Sequence, residues 1–271
     1  MKGGRFQKLP ASGTLSVMAP PSLATGANTL PSRALCTADG KNVYVGLQTT
    51  GYIAQYSRNA DGSLAALSPA TVQCLYGPYG MVESPDGKQV YCNAGGGDAV
   101  RRFTRDTSTG LLTLATSIAT GVTPTGICMS ADGAYVYVAC KNPSGLPSIS
   151  MYSRNSTTGA LTALGTPSIT FGVSGSQAMG IVMYGTSVYV GCFTGTTFYA
   201  FDQNPTTGQL TAAATASYTA GSQPAWLCIA PDGTSLYVAN DSGTISQFSR
   251  DTGTGALTSL GSALEIGRAH V

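Results

Sequence analysis

The sequence predicts an all-β chain, folded as a β-propeller of four-stranded antiparallel blades. Three observations carry this reading. A buried-type tyrosine recurs at Tyr44, Tyr91, Tyr137, Tyr189 and Tyr237, at spacings of 47, 46, 52 and 48 residues. Five residues before four of these tyrosines stands an Asp-Gly pair, beginning at Asp39, Asp86, Asp132 and Asp232. A second glycine turn follows in every unit, at Gly62, Gly110, Gly159, Gly208 and Gly255. Four short strands per repeat of this length make one blade.

Each unit reads in the same order. An inner strand follows Pro31, Pro78, Pro124 or Pro224, eight residues before the Asp-Gly pair. Asp-Gly supplies the positive φ angles of a tight hairpin; the fourth unit carries Tyr184-Gly185 there instead. The tyrosine strand comes next, as in "NVYVG" and "YVYVA". After a loop, a third strand ends on Tyr56, Phe103, Tyr152, Phe201 or Phe248. The glycine turn and a fourth strand close the unit, as in "STTGALT". Segments such as "GICMS" and "AWLCIA" are apolar nearly throughout, which suits sheets packed on both faces. A flat sandwich with accidental repetition would not hold this phase through five units.

The opening residues continue the pattern. "RFQKLPASGTLSV" aligns with "QFSRDTGTGALTS", matching Phe6 to Phe248, Gly13 to Gly255 and Leu15 to Leu257. Residues 1–30 are therefore expected to hold the outer hairpin of a preceding blade, with five full blades following to residue 264. The closing "EIGRAHV", residues 265–271, reads as a non-native tail, because it translates the start of a common sequencing adapter. The one histidine, His270, lies in it and is given no catalytic role.

Composition narrows the function classes. Of 271 residues only 10% are charged, and the net charge is +2. A charge that small gives no field to attract nucleic acid or an anionic membrane. No apolar run approaches the roughly 20 residues that span a bilayer, so membrane insertion is not expected. The seven cysteines show no CxxC pair and have no histidine companions, so neither a metal site nor a redox motif is expected. They are read as small buried side chains rather than disulfides.

The repeated step reads "SPDGKQVYCNA" at 84–94, "SADGAYVYVAC" at 130–140 and "APDGTSLYVAN" at 230–240. With the hairpin that follows it, this resembles the YVTN-repeat, lactonase-like propeller family, over nearly the whole chain. The resemblance implies a seven-bladed ring, of which this chain would hold about five and a half blades. Members of that family include enzymes that open sugar lactones, relatives that cyclise muconates, and many surface proteins without a known reaction. The repeated residues are turn and packing residues, so the resemblance speaks to fold more than to function.

Lactone hydrolysis needs a base to activate water and donors for the developing oxyanion. Such groups should gather at one end of the central channel. After the proline column the sequence places Ser32, Tyr79, Thr125, Gln177 and Ala225, and then Arg33, Gly80, Gly126, Ala178 and Trp226. Glu83 is an acid in an otherwise mostly apolar inner-strand column, where burial would raise its pKa and suit it to act as a general base. Arg33 is a candidate partner for a substrate carboxylate or phosphate. Tyr79, Gln177 and Trp226 complete the candidate ligand contacts. Asp98, Lys141, Asn142 and Asp241 read as solvated loop residues. The glycine-rich "NAGGGDA" at 93–99 precedes no helix and so makes no phosphate cradle. Lys8, Arg58, Arg105, Arg154 and Arg250 form a basic column whose repetition points to a structural job, such as pairing with Asp or Glu near the outer turn; a polyanion-binding rim is the other reading.

Two functions follow. The first is a propeller scaffold, extracytoplasmic or at the cell surface, that binds a small molecule or protein through its loop face without catalysis. The alternative is a lactone hydrolase of the 6-phosphogluconolactonase type, acting at the channel mouth. No cofactor or metal is expected for either.

Overall fold

Turn chemistry and the apolar strands dictate a stack of antiparallel sheets, and the computed structural model shows it. The structure describes residues 6–8, 15–17 and 24–265. Strands β1 (Phe6–Lys8) and β2 (Leu15–Val17) pair with each other, Phe6 opposite Val17. Five four-stranded meanders follow. The first blade is β3 (Pro31–Cys36), β4 (Asn42–Leu47), β5 (Tyr52–Arg58) and β6 (Leu64–Gln73). The second is β7 (Pro78–Glu83), β8 (Gln89–Ala94), β9 (Ala99–Arg105) and β10 (Leu112–Ala119). The third is β11 (Pro124–Met129), β12 (Tyr135–Cys140), β13 (Ser148–Arg154) and β14 (Leu161–Thr170). The fourth is β15 (Ala178–Tyr184), β16 (Ser187–Cys192), β17 (Thr197–Gln203) and β18 (Leu210–Thr219). The fifth is β19 (Pro224–Ile229), β20 (Ser235–Asn240), β21 (Thr244–Arg250) and β22 (Leu257–Ser259). A short β23 (Leu264–Glu265) also pairs with β21. Most of residues 1–23, and 266–271 with His270, lie outside the described residues. Among the described residues no helix is long and apolar enough to cross a membrane.

The Asp-Gly turns form for local reasons. Gly40, Gly87, Gly133 and Gly233 have φ between 67 and 74°, a region cheap only for glycine. The aspartate closes the turn by accepting from the backbone two residues on: Lys41 N–H reaches Asp39 Oδ1 at 3.0 Å, and Ala134 N–H reaches Asp132 Oδ1 at 3.0 Å. A hydroxyl two residues before the aspartate completes it, with Thr37 donating to Asp39 at 2.6 Å and Ser84 to Asp86 at 2.5 Å.

Consecutive inner strands β3, β7, β11, β15 and β19 pack side by side, and the blades are joined by one repeated contact. Tyr44, Tyr91, Tyr137 and Tyr189 are fully buried. Each hydroxyl donates to a glycine carbonyl in the outer turn of the following blade: Gly110 at 2.6 Å, Gly159 at 2.6 Å, Gly208 at 2.7 Å and Gly255 at 2.5 Å. The basic column meets the same hydroxyls. Arg105 Nε donates to Tyr44 at 3.2 Å, Arg154 to Tyr91 at 2.8 Å and Arg250 to Tyr189 at 3.0 Å. Arg105 and Arg154 then reach back to the preceding blade's turn aspartate, Asp39 at 2.8 Å and Asp86 at 3.2 Å. The fourth blade has Tyr184 where that aspartate would be, and the Arg250 guanidinium carbon stands 5.1 Å from its ring centroid. Arg105, Arg154 and Arg250 thus have the structural job expected of the basic column, but the acids that Arg105 and Arg154 reach sit in the inner Asp-Gly turn of the preceding blade rather than near the outer turn. Arg58 in the first blade and Tyr237 in the fifth are the exposed members of their columns among the described residues.

All seven cysteines are free, as expected, but two of them depart from the expected burial. Cys36 and Cys228 are exposed. They lie on inner strands of the first and fifth blades, where the described residues place no further sheet against them.

The tyrosine contact yields a measurable contrast. Tyr91→Phe removes the donor to Gly159 and strips buried Arg154 Nε of its acceptor, so unfolding in urea should show a loss of about 1–3 kcal/mol. Tyr237→Phe, at 37% exposure, should change stability by less than about 0.5 kcal/mol. Equal losses at the two positions would refute the contact as the joining element.

Candidate functional site at the channel mouth

The inner strands begin at one face of the molecule and end at the Asp-Gly turns of the other. Residues near the strand starts, with the loops that follow the tyrosine strands, make up the mouth. Here Ser32, Arg33, Gln48, Tyr79 and Trp226 line a cavity of about 310 Å³. Arg33 lies on β3 of the first blade and Trp226 on β19 of the fifth, yet they meet: the guanidinium carbon is 3.7 Å from the indole ring centroid. That is close cation–π stacking. Crowding by the channel wall removes water from the guanidinium and lowers its pKa, but an arginine stays charged at neutral pH.

Trp226 can lie there because its neighbour is a glycine. A Cβ on Gly180 would stand 2.9 Å from Trp226 Cε3 and 2.9 Å from the Ala225 carbonyl. Ser32 is committed to structure. Its hydroxyl donates to the Pro78 carbonyl at 2.8 Å, tying β3 to β7. Thr125 does the same one pair of blades on, reaching the Ala178 carbonyl at 2.9 Å. In the second blade this column holds Tyr79, half-buried, with its ring against Gly95.

Three of the five residues expected at the mouth are therefore brought together: Arg33, Tyr79 and Trp226. Gln177 is displaced from the column assigned to it. Ala178 pairs with Cys192 as Pro31 pairs with Leu47, so Ala178 holds the proline position and Gln177 sits one residue before the strand. Met179 and Gly180 then occupy the next two columns. The missing proline in the fourth blade hid this offset of two residues. Gln48 was not anticipated. It follows β4 directly, its N–H bonded to the Leu30 carbonyl at 3.1 Å. The matching positions in the other blades, Gly95, Lys141, Phe193 and Asp241, share no chemistry that would flag it.

Glu83 lies elsewhere. It is the last residue of β7, four residues beyond Tyr79, or about 13 Å along a strand. Its Oε2 accepts from Ala38 N–H at 2.7 Å, in the turn of the first blade, and its Oε1 is 3.5 Å from Arg105. The side chain is 6% accessible. Burial pushes its pKa up by more than the Ala38 N–H and Arg105 pull it down. The raised pKa expected of a general base is present, but it belongs to a carboxylate buried between two blades at the turn face. Burial also acts to raise Asp39, yet Thr37, Arg105 and Lys41 together hold that carboxyl well below the usual range. Asp86 is lowered likewise: Ser84, the Lys88 N–H and Arg154 outweigh its burial.

Two of the other loop residues have structural side-chain partners. Asp98 Oδ1 accepts from Thr123 N–H at 2.7 Å, and Asn142 Nδ2 donates to the Leu146 carbonyl at 3.0 Å. No cluster of three His, Cys, Asp or Glu side chains that could hold a metal ion occurs among the described residues.

Comparison with known proteins follows the geometry. The family model described as "Lactonase, 7-bladed beta-propeller" matches residues 80–173 and 187–271. The fold is similar to that of the periplasmic gluconolactonase of Pseudomonas aeruginosa, with a TM-score of 0.76 at 21% identity, over 97% of this chain and 77% of that one. A candidate 6-phosphogluconolactonase of Bacteroides fragilis superposes with a TM-score of 0.77 at 20% identity, over 96% of this chain and 76% of that one. A protein of Lactobacillus plantarum gives 0.75 at 19% identity, over 93% and 75%. At these identities the likeness is one of fold. Comparison with curated protein sequences returns no match.

The carboxyl groups set a pH dependence. Asp39 and Asp86 have folded pKa values below their unfolded ones, so the stability they add is present above the ordinary carboxylate range and is lost as pH falls through and below about 4. Glu83 has the opposite sign, and ionising it costs stability as pH rises past that range. Asp86→Asn should flatten the acid limb of a stability-versus-pH curve measured by urea unfolding. Glu83→Gln should leave ligand affinity at the mouth within about twofold, since a carboxylate about 13 Å away along the strand does not reach the ligand. A tenfold loss on Glu83→Gln would restore this residue to the site.

Proposed function

The chain belongs to the lactonase, seven-bladed β-propeller family, and from that premise we propose that its channel mouth binds a sugar lactone or the aldonate formed when the lactone opens. The observation that supports this reading is the Arg33–Trp226 pair at 3.7 Å, facing Tyr79 and Gln48 across one cavity. A cavity of about 310 Å³ lies at the small end of ligand sites, which run from roughly 300 Å³ upward. The chemistry matches the ligand. The arginine presents several donors to a lactone carbonyl or a carboxylate. The indole and phenol offer apolar faces to the C–H side of a sugar ring, and the Gln48 amide serves its hydroxyls. Names carried by similar structures, a gluconolactonase and a candidate 6-phosphogluconolactonase, favour the same ligand class.

Binding is the primary reading, because among the described residues no carboxylate or imidazole lines this cavity to serve as a base. Hydrolysis is the second reading, favoured by the family match. In it, water adds to the lactone carbonyl carbon, Arg33 stabilises the developing oxyanion, and the ring C–O bond breaks. The released oxygen takes the proton, giving a hydroxy acid.

Trp226 is the only tryptophan, so intrinsic fluorescence reports on the mouth directly. Gluconate and 6-phosphogluconate should each perturb it saturably, and Arg33→Ala should weaken both by at least tenfold. No saturable change with either would refute the binding reading. Gluconolactone opening above the spontaneous rate, lost in Arg33→Ala, would establish hydrolysis.

A further inference from the structure

The mouth cavity does not stop at Tyr79. A second cavity of about 500 Å³ shares Gln48 and Tyr79 with it and runs outward over the first and second blades. It is bordered by Thr49, Gln73 and Tyr76. Tyr76 is 59% exposed, so its ring is open to a ligand. Among the described residues, no charged side chain lines this outer cavity. Among the described residues, the side-chain amides of Gln48 and Gln73 and the Thr49 hydroxyl make no hydrogen bond to another described residue, and no carboxylate lines either cavity.

The glycine-rich segment supplies a second, independent observation. Gly95, Gly96 and Gly97 form a single 3₁₀ turn beneath the two tyrosines. A Cβ on Gly95 would stand 3.2 Å from Tyr79 Cδ2, and one on Gly97 would stand 2.7 Å from Tyr76 Cδ2. Neither glycine has a positive φ, so backbone conformation does not demand them. What they provide is room for two rings to lie against one short turn. The Arg101 guanidinium carbon, 5.9 Å from the Tyr76 ring centroid, holds the outer ring further.

We infer that the two cavities form one groove for an oligosaccharide whose terminal unit is an aldonolactone or aldonate. Arg33 and Trp226 take the oxidised terminal unit. Tyr79 and Tyr76 are stacking platforms for the sugar units behind it, and Gln48, Gln73 and Thr49 bond their hydroxyls. Aromatic faces alternating with uncharged amides and hydroxyls fit a neutral sugar chain better than a peptide or a polyphosphate, which would call for edge-strand pairing or added cations. This inference rests on the binding reading above and extends it to a longer ligand.

The test uses the full chain and Trp226 fluorescence, with calorimetry in parallel. The probes are gluconate and the aldonic acids of two- and three-unit glucose oligomers, in both α-1,4 and β-1,4 linkage. In one linkage series, affinity should rise at least tenfold from the one-unit to the three-unit probe. Tyr76→Ala should erase that gain while leaving gluconate affinity within about twofold. Gly97→Ala, which keeps Tyr76 but pushes its ring into the groove, should do the same. Equal affinity for short and long probes in both series would overturn the groove while leaving the binding reading standing. Loss of gluconate affinity in Tyr76→Ala would overturn the separate outer subsite. Failure of every probe, gluconate included, would refute both readings.

Discussion

One interaction sets the relation between sheets: a buried tyrosyl hydroxyl that belongs to one blade and is satisfied by the next. Tyr44, Tyr91, Tyr137 and Tyr189 are fully buried, and a buried phenol without a partner is costly. Each finds a glycine carbonyl in the following blade, and three find an arginine as well. The glycine is doubly constrained. At Gly110 the backbone has φ +79°, and a Cβ there would stand 2.0 Å from Asn42 of the preceding blade. Each sheet thus specifies the face of its neighbour, and the fold propagates by nearest-neighbour contacts as in other repeat architectures. Arg105 shows why the arginine is tolerated in the interior: it is shared among the Tyr44 hydroxyl, Asp39, the Asn42 side chain and the Gly87 carbonyl, so its charge is neither unpaired nor short of acceptors.

The repeat was legible in the sequence because turns and joining residues are the parts that cannot vary. Asp39-Gly40 and its counterparts announce positive φ angles, and the tyrosines announce themselves by phase. The structural job of Arg105, Arg154 and Arg250 was likewise readable from repetition, though its partner, a tyrosine of the neighbouring sheet, was not. Glu83 shows where a column reading runs out. An acid in an apolar inner strand looks like a base lining a channel, but sequence does not say at which end of the strand the side chain sits or what meets it from the adjacent blade. Gln177 shows another limit. Without a proline to fix the phase, a longer loop moved the alignment of β15 by two residues. Gln48 lies on a loop whose positions share nothing from blade to blade, so no column reveals it.

Function is best sought where repetition is broken without structural need. In the column after the proline, Ser32 and Thr125 each spend a hydroxyl on tying two inner strands together. Tyr79 stands in the same column and makes no such tie; its ring faces the cavities instead. Arg33 falls in a column that is glycine in the second, third and fourth blades, at Gly80, Gly126 and Gly180. Those glycines are needed where a neighbouring inner strand presses close: a Cβ on Gly126 would stand 2.5 Å from the Met179 carbonyl. Arg33 and Trp226 occupy this column at the two blades whose inner strands face each other across the channel rather than side by side. The close approach that forbids a side chain at these glycines comes from the following blade, and Trp226 lies in the fifth blade, which has no following blade among the described residues.

That argument ties the candidate site to the architecture. A row of identical blades would present a mouth ringed by small residues, with no direction and little grip on a ligand. Interrupting the glycine column at Arg33 and Trp226 places a cation and an indole on opposite sides of the channel, near enough to stack at 3.7 Å. Replacing the tying hydroxyl with Tyr79 carries a packing penalty, since β7 loses a side-chain link to β11 that β3 has to β7. Within the second blade, Gly80 N–H donates to the buried Asn93 side chain, which ties β7 to β8. An inter-blade tie is given up at this position and a ring faces the cavity instead, which is the pattern expected when a recognition surface is built on a repeated scaffold.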